Sequence, residues 1–236
     1  MFNPLLERVT PIRYQLGQRT YRATGFFYRY GGEHYLITNK HVVEHEHDIS
    51  PKSLRIQVKF KVGDKIDTRP VRVELFDDDG NERWLTHSKN PNVDLAAVPI
   101  AIDLTKTPTH FFSSKQHVPQ DTNMTIAGSG VLTVGIPGPI APGESNTAIV
   151  RSGVASSVYG EPFGGEPCFL VDSNLHDGMS GSPIVLQTNS MYNDSDETYF
   201  RLVDFLFIYW VFILVRSIKS MNTACIVPGT QICYMT

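Results

Sequence analysis

Two stretches of this chain alternate apolar and polar side chains without a break: Leu54–Phe60 (LRIQVKF) and Val71–Phe76 (VRVELF). A two-residue period turns one face of a segment inward and the other to water, as half-buried antiparallel strands require. The same grammar recurs along the chain. Thr24–Tyr30 (TGFFYRY) and Glu33–Thr38 (EHYLIT) flank Gly31-Gly32, which predicts a hairpin. Asp77-Asp78-Asp79-Gly80-Asn81 predicts the turn after the second alternating run. Further strands are expected at Asp94–Ile100, Met124–Ala127, Ala148–Ser156, Pro167–Val171 and Ser182–Leu186. The segment Gly128–Asn146, rich in glycine and proline, reads as loop with one short strand. No segment carries a long helical period, and only a brief helix near Gln231 is expected. Many short strands at regular intervals give an all-β sandwich or barrel, and periodicity alone does not choose between them.

With 236 residues the chain can bury a sizeable core, as one large β domain or two smaller ones. The patternless stretch 103–121 is the candidate link between two β units. A formal net charge of -3 leaves no basic footprint for nucleic acid, so no nucleic-acid partner is expected. The three cysteines (Cys168, Cys225 and Cys233) are too few and too widely spaced for a disulfide framework, although one disulfide is left open. No Cys-x-x-Cys pair marks a metal or redox site. The N-terminal MFNPLLERVTPIR carries charges where a signal peptide needs an apolar core of about 7–15 residues. A cytoplasmic protein is therefore expected. The unbroken apolar run Phe205–Val215 is eleven residues long, against the roughly 20 of a spanning helix. Its aromatic and β-branched content predicts a buried strand, and no membrane span is expected.

Gly178-Met179-Ser180-Gly181-Ser182-Pro183 places a serine between glycines. Such a serine can sit on a tight turn where its hydroxyl is exposed and backbone N–H groups converge to hold an oxyanion. A serine hydroxyl needs a base, and the base needs an orienting group. His41 follows the apolar run ending at Thr38, and Asp94 opens the run Asp94-Leu95-Ala96-Ala97-Val98. Both sit at the lip of a predicted strand, where rigid scaffolds present chemistry.

Tyr35–Val43 (YLITNKHVV) resembles the strand-then-His segment of the chymotrypsin/trypsin-like serine protease family. Val93–Val98 (VDLAAV) resembles its Asp-Leu-Ala segment, and Asp177–Ile184 (DGMSGSPI) its nucleophile segment. The order His, Asp, Ser is the one that family uses. Val134-Gly135-Ile136-Pro137 and Ile149–Ser156 are similar to two further segments of bacterial-type trypsin-like peptidase domains. The resemblance implies two six-stranded antiparallel β-barrels with the active site in the cleft between them, and a short C-terminal helix. Residues 1–105 would form the barrel with His41 and Asp94, and residues 106–236 the barrel with Ser180. It further implies a serine endopeptidase acting on protein or peptide through an acyl-enzyme, without cofactor or metal. Ser180 would be the nucleophile, His41 the base and Asp94 its orienting group. The N–H groups of Gly178 and Ser180 would form the oxyanion hole, and Asn174 would line the substrate pocket.

Where trypsin carries an acidic residue in its specificity pocket this chain has Asn174, so no preference for Arg or Lys is expected. Met179 takes the place of the aspartate that serves zymogen activation, so no activation of that kind is expected. Residues 182–228 contain no glycine, although the family's strand after the nucleophile uses glycine to leave room for substrate. An inactive or self-inhibited scaffold acting as a binding module is therefore one alternative. A second is a zinc hydrolase, because His41-Val42-Val43-Glu44-His45 fits H-x-x-E-H, a pattern that binds metal only on a helix of several turns.

Overall fold

In the computed structural model, backbone and side chains are described for residues 5–44, 50–102, 107, 109–113, 127–138, 147–159, 161–165 and 168–186. For 208–209, 211–214 and 223–228 the backbone alone is described. The first sheet grows from hairpins. Strands β1 (Val9–Leu16) and β2 (Arg19–Tyr30) pair antiparallel over eight positions. Gly31 and Gly32, with φ of 59° and 93°, turn β2 back into β3 (Glu33–Thr38), and Tyr30 faces Glu33 across the turn. A single helical turn, α1 (Lys40–Val43), follows β3 at once. Strands β4 (Ser53–Val62) and β5 (Lys65–Glu74) form a ten-position hairpin. In β4 the alternation seen in the sequence becomes burial, with Leu54, Ile56 and Val58 inside. β6 (Ala96–Pro99) pairs with β3, and β7 (Phe112–Ser113) lies parallel to β2.

The strand order is β5-β4-β1-β2-β3-β6, with β7 on β2, so the sheet has seven strands where six are expected. The extra strand is the two-residue β7. Backbone hydrogen bonds from Arg83 to Leu75, and between Leu85 and Ala97 in both directions, tie the two ends of this path through residues 82–85. Phe27, Leu36, Val43, Ile56, Leu75 and Val98 are among the side chains that fill its interior.

The second sheet comprises β8 (Gly130–Gly135), β9 (Ile149–Ala155), β10 (Phe169–Ser173), β11 (Ile184–Leu186), β12 (Ile208–Tyr209), β13 (Val211–Leu214) and β14 (Thr223–Pro228). All its pairings are antiparallel, in the order β12-β11-β8-β9-β10-β14-β13. The apolar run after Asp204 thus contributes two strands. No helix among the described residues is long and apolar enough to cross a membrane. The two sheets, with almost no helix, make up the two-barrel architecture of the chymotrypsin type. The expected strand at Met124–Ala127 and the helix near Gln231 fall essentially outside the described residues.

The sheets share a core. Phe26, Tyr28, Ile37, Ala97 and Phe112 from the first pack in one cluster with Val134 and Val185 from the second. Val93, beside Asp94, packs against Cys168 at the start of β10. Cys168 is buried and disulfide-bonded, so the one disulfide that the sequence leaves open is present.

Candidate active site

The site is assembled where β2 and β3 of the first sheet meet the turn that carries Ser180. Asn39, the first residue after β3, is fully buried and precedes α1 in an extended conformation. Its side chain caps no helical N–H. Instead Nδ2 donates to the backbone carbonyl of Asp94 at 2.9 Å. One residue further into α1 than Lys40, His41 meets the Asp94 carboxylate twice. Its backbone N–H donates to Oδ1 at 2.9 Å, and its ring Nδ1 lies 2.7 Å from Oδ2. Both carboxylate oxygens are thus committed to the same residue.

Exposure divides the pair. The Asp94 side chain is 10% exposed and that of His41 42%. The carboxylate is held out of water while the imidazole reaches into it. A charge-assisted bond at this length fixes the ring orientation and assigns the Nδ1 proton, leaving Nε2 as the acceptor.

Ser180 comes from the other sheet, and backbone bonds seat its turn against the first. Its carbonyl accepts from Thr24 N–H of β2 at 2.8 Å. Thr24 Oγ1 donates to the Gly178 carbonyl at 2.8 Å and accepts from Ile136 N–H at 3.0 Å. The Thr24 carbonyl in turn accepts from Thr38 Oγ1 at 2.9 Å. Thr24 therefore joins β2, the Gly178–Ser180 turn, the 136–138 turn and the end of β3. Gly181 has φ of 84°, and a Cβ there would overlap the Thr24 carbonyl and Thr38. That packing sets the residue after Ser180 against the one three before His41. Gly178, at φ 91°, lies so close to Gly138 N that a Cβ would stand 2.7 Å away. Both glycines are needed for left-handed backbone in a crowded place.

Within the turn, Met179 N–H bonds the His176 carbonyl at 3.1 Å and Ser182 N–H bonds the Met179 carbonyl at 3.0 Å. Among the described residues, the N–H groups of Gly178 and Ser180 have no backbone acceptor. Met179 is fully buried and Ser180 is half-exposed. Asn174 is exposed in the segment between β10 and this turn. Thr24, Thr38 and Asn39 are not singled out by sequence motifs. The only trace of Thr24 is a polar residue entering the apolar run of β2.

The zinc pattern finds little support in its local backbone. α1 spans four residues, Glu44 beyond it is extended, and the Glu44 carboxylate pairs with Lys40 Nζ at 3.4 Å. His45 lies outside the described residues, and among those described no three potential ligands gather.

A sequence-family model described as a trypsin-like peptidase domain matches residues 23–192. Among solved structures, a thermostable serine protease, AL20, from an extremophilic microorganism matches with a TM-score of 0.57 at 11% identity, covering 96% of this chain and 93% of that one. The catalytically active tobacco etch virus protease complexed with product matches at 0.56 and 13% identity, covering 98% and 76%. The protease Anisep from Arthrobacter nicotinovorans matches at 0.55 and 14% identity, covering 96% and 91%. At these identities the likeness is one of fold. No match is found among curated protein sequences.

Proposed function

The chain belongs to the trypsin-like peptidase domain family, and from that premise we propose that it is a serine endopeptidase with His41, Asp94 and Ser180 as its triad. The observation that carries the reading is the double contact of His41 with a buried carboxylate, in a chain whose Ser180 turn is bonded to the neighbouring strands. A histidine held this way serves as a base, because its Nδ1 proton is fixed and Nε2 is left to accept another.

Ser180 Oγ attacks the scissile carbonyl carbon while His41 Nε2 takes the hydroxyl proton. The carbonyl oxygen becomes an oxyanion, held by the N–H groups of Gly178 and Ser180, each donor worth about 2.7–4 kcal/mol in such a site. His41 returns its proton to the leaving amine as the C–N bond breaks, and the acyl group stays on Ser180. Water then attacks the ester by the same route in reverse, releasing the carboxylic acid and restoring the serine. Asp94 stabilises the imidazolium in both halves without taking the proton. The substrate is a protein or peptide, bound along the junction of the two sheets.

Purified protein given an unfolded protein substrate is expected to release new amino termini, and Ser180→Ala to abolish the release. Release that persists in Ser180→Ala and disappears with a chelator would transfer the function to a metal.

A further inference from the structure

The inward face of β9 carries a charge that its surroundings leave incompletely satisfied. By the strand period, Ile149, Arg151, Gly153 and Ala155 share one face, and the intervening Val150, Ser152 and Val154 are exposed. Ala155 is fully buried at one end of the inner face, and Arg151 is half-buried further along it. Drawing a guanidinium out of water is costly unless partners compensate. Arg151 Nη2 donates to His176 Nε2 at 2.8 Å, while its Nε is buried without an acceptor. Among the described residues no carboxylate is ion-paired with it. Asp172 lies on the exposed face of β10, and Asp177 is exposed in the turn.

Two buried hydroxyls in the same part of the second sheet also lack partners. Thr133 stands directly opposite Arg151 in the β8–β9 register, and its Oγ1 is unpaired. Ser182 Oγ, likewise unpaired, occupies the space a Cβ on Gly135 would need, two residues along β8 from Thr133 on the same face. Both residues are fully buried. Such groups are ordinarily satisfied, and together with the half-buried Arg151 they make this part of the sheet rich in unused hydrogen-bonding capacity around a cation.

The cation is also linked to the nucleophile. A guanidinium can only donate, so in this contact Nε2 of His176 is the acceptor. The His176 carbonyl accepts from Met179 N–H, inside the turn that presents Ser180.

We propose that Arg151, oriented by His176, makes this a peptidase selective for an acidic residue, Glu or Asp, immediately before the scissile bond. The substrate carboxylate takes Nη1 and the second N–H of Nη2, which His176 does not use, in the forked geometry that suits this pair. The inference rests on the serine-peptidase reading and adds its substrate class.

The test uses the full chain and internally quenched peptides that differ only at the residue before the bond: Glu, Asp, Gln, Leu and Lys. The expected kcat/KM for Glu exceeds that for Gln by about 10- to 100-fold, since a site built for a charged acceptor is left unpaired by the amide. In Arg151→Gln the ratio falls to near one. Should that variant fail to fold, Arg151→Lys keeps the charge without the fork and is expected to lower the ratio. His176→Gln, whose amide oxygen can accept the same bond, is expected to keep more of the ratio than His176→Ala. Equal rates for Glu and Gln in the unaltered protein, or a ratio unchanged by substitution of Arg151, overturn the proposal. If the unaltered protein neither cleaves any peptide nor reacts with a serine-directed probe, the peptidase reading has failed separately. The preference is then read from calorimetric binding of the Glu and Gln peptides to Ser180→Ala, where equal affinities overturn it and tighter binding of Glu supports it.

Discussion

Asp94 is nearly removed from water and spends both carboxylate oxygens on one residue. That economy makes its substitution informative. Asp94→Asn keeps the size but offers an amide N–H where Oδ2 accepts, which favours the wrong imidazole tautomer. The expected loss in kcat is about 10⁴-fold, with the thermal midpoint little changed, as when a triad carboxylate becomes an amide. A variant that retains most of its turnover would show that Asp94 is not what orients the base. A second carboxylate gives a prediction in pH. Asp77 accepts from the Asn81 side chain and from the backbone N–H groups of Asn81 and Asp79, and these bonds hold it below the ordinary aspartate range. Because the folded value is the lower one, the stability it adds is present above the ordinary aspartate range. It is lost as pH falls through the folded value. The difference in thermal midpoint between the unaltered protein and Asp77→Ala should therefore shrink as pH drops below about 4. A difference independent of pH would contradict this. The pair of His41 and Asp94 was legible in the sequence because each sits in a short motif at a strand end, and the role proposed for Ser180 rests on its own motif. Thr24, Asn39 and Arg151 were not legible, because partners 154, 55 and 25 residues away give them their roles.

At the scale of elements, the turn that carries Ser180 depends on what β2 and β3 present to it. Thr24→Val preserves shape but removes the hydroxyl that serves Gly178 and Ile136. Each buried group left unpaired costs about 1–3 kcal/mol, so urea denaturation should show a loss of at least that size. An unchanged midpoint would mean that water or a shifted turn replaces the bridge. Gly181→Ala is expected to be worse for activity than for folding, since strain at φ 84° and contact with Thr38 move the residue beside Ser180. The hairpin of β2 and β3 could be read from two glycines between apolar runs, and β4 from its alternation. β1 was hidden by Pro11, its third residue. The first half of β5 was hidden because residues 65–70 are all exposed and carry no apolar period. Their strand state comes from ten-position pairing with β4, a tertiary cause that local pattern does not contain.

Across the whole molecule, the two sheets are distinct in hydrogen bonding but not in packing. Val134 and Val185 enter the cluster of Phe26, Ile37 and Ala97, and Cys168 meets Val93. The all-β class was legible from many short strand patterns between turns, and the two-barrel plan from motifs in a fixed order. The shared core was not, because it brings together residues from tens of positions to more than a hundred apart in the chain. The shared core bears on the proposed function: His41 and Asp94 belong to one sheet and Ser180 to the other, so under the proposed triad reactivity at Ser180 reports their assembly. The most direct measurement is labelling of the purified protein with a fluorophosphonate probe, with mass spectrometry to locate the adduct. A single adduct on Ser180 that disappears in His41→Ala is the predicted result. A folded protein that takes no adduct, or one whose Ser180 labels equally well without His41, would contradict it.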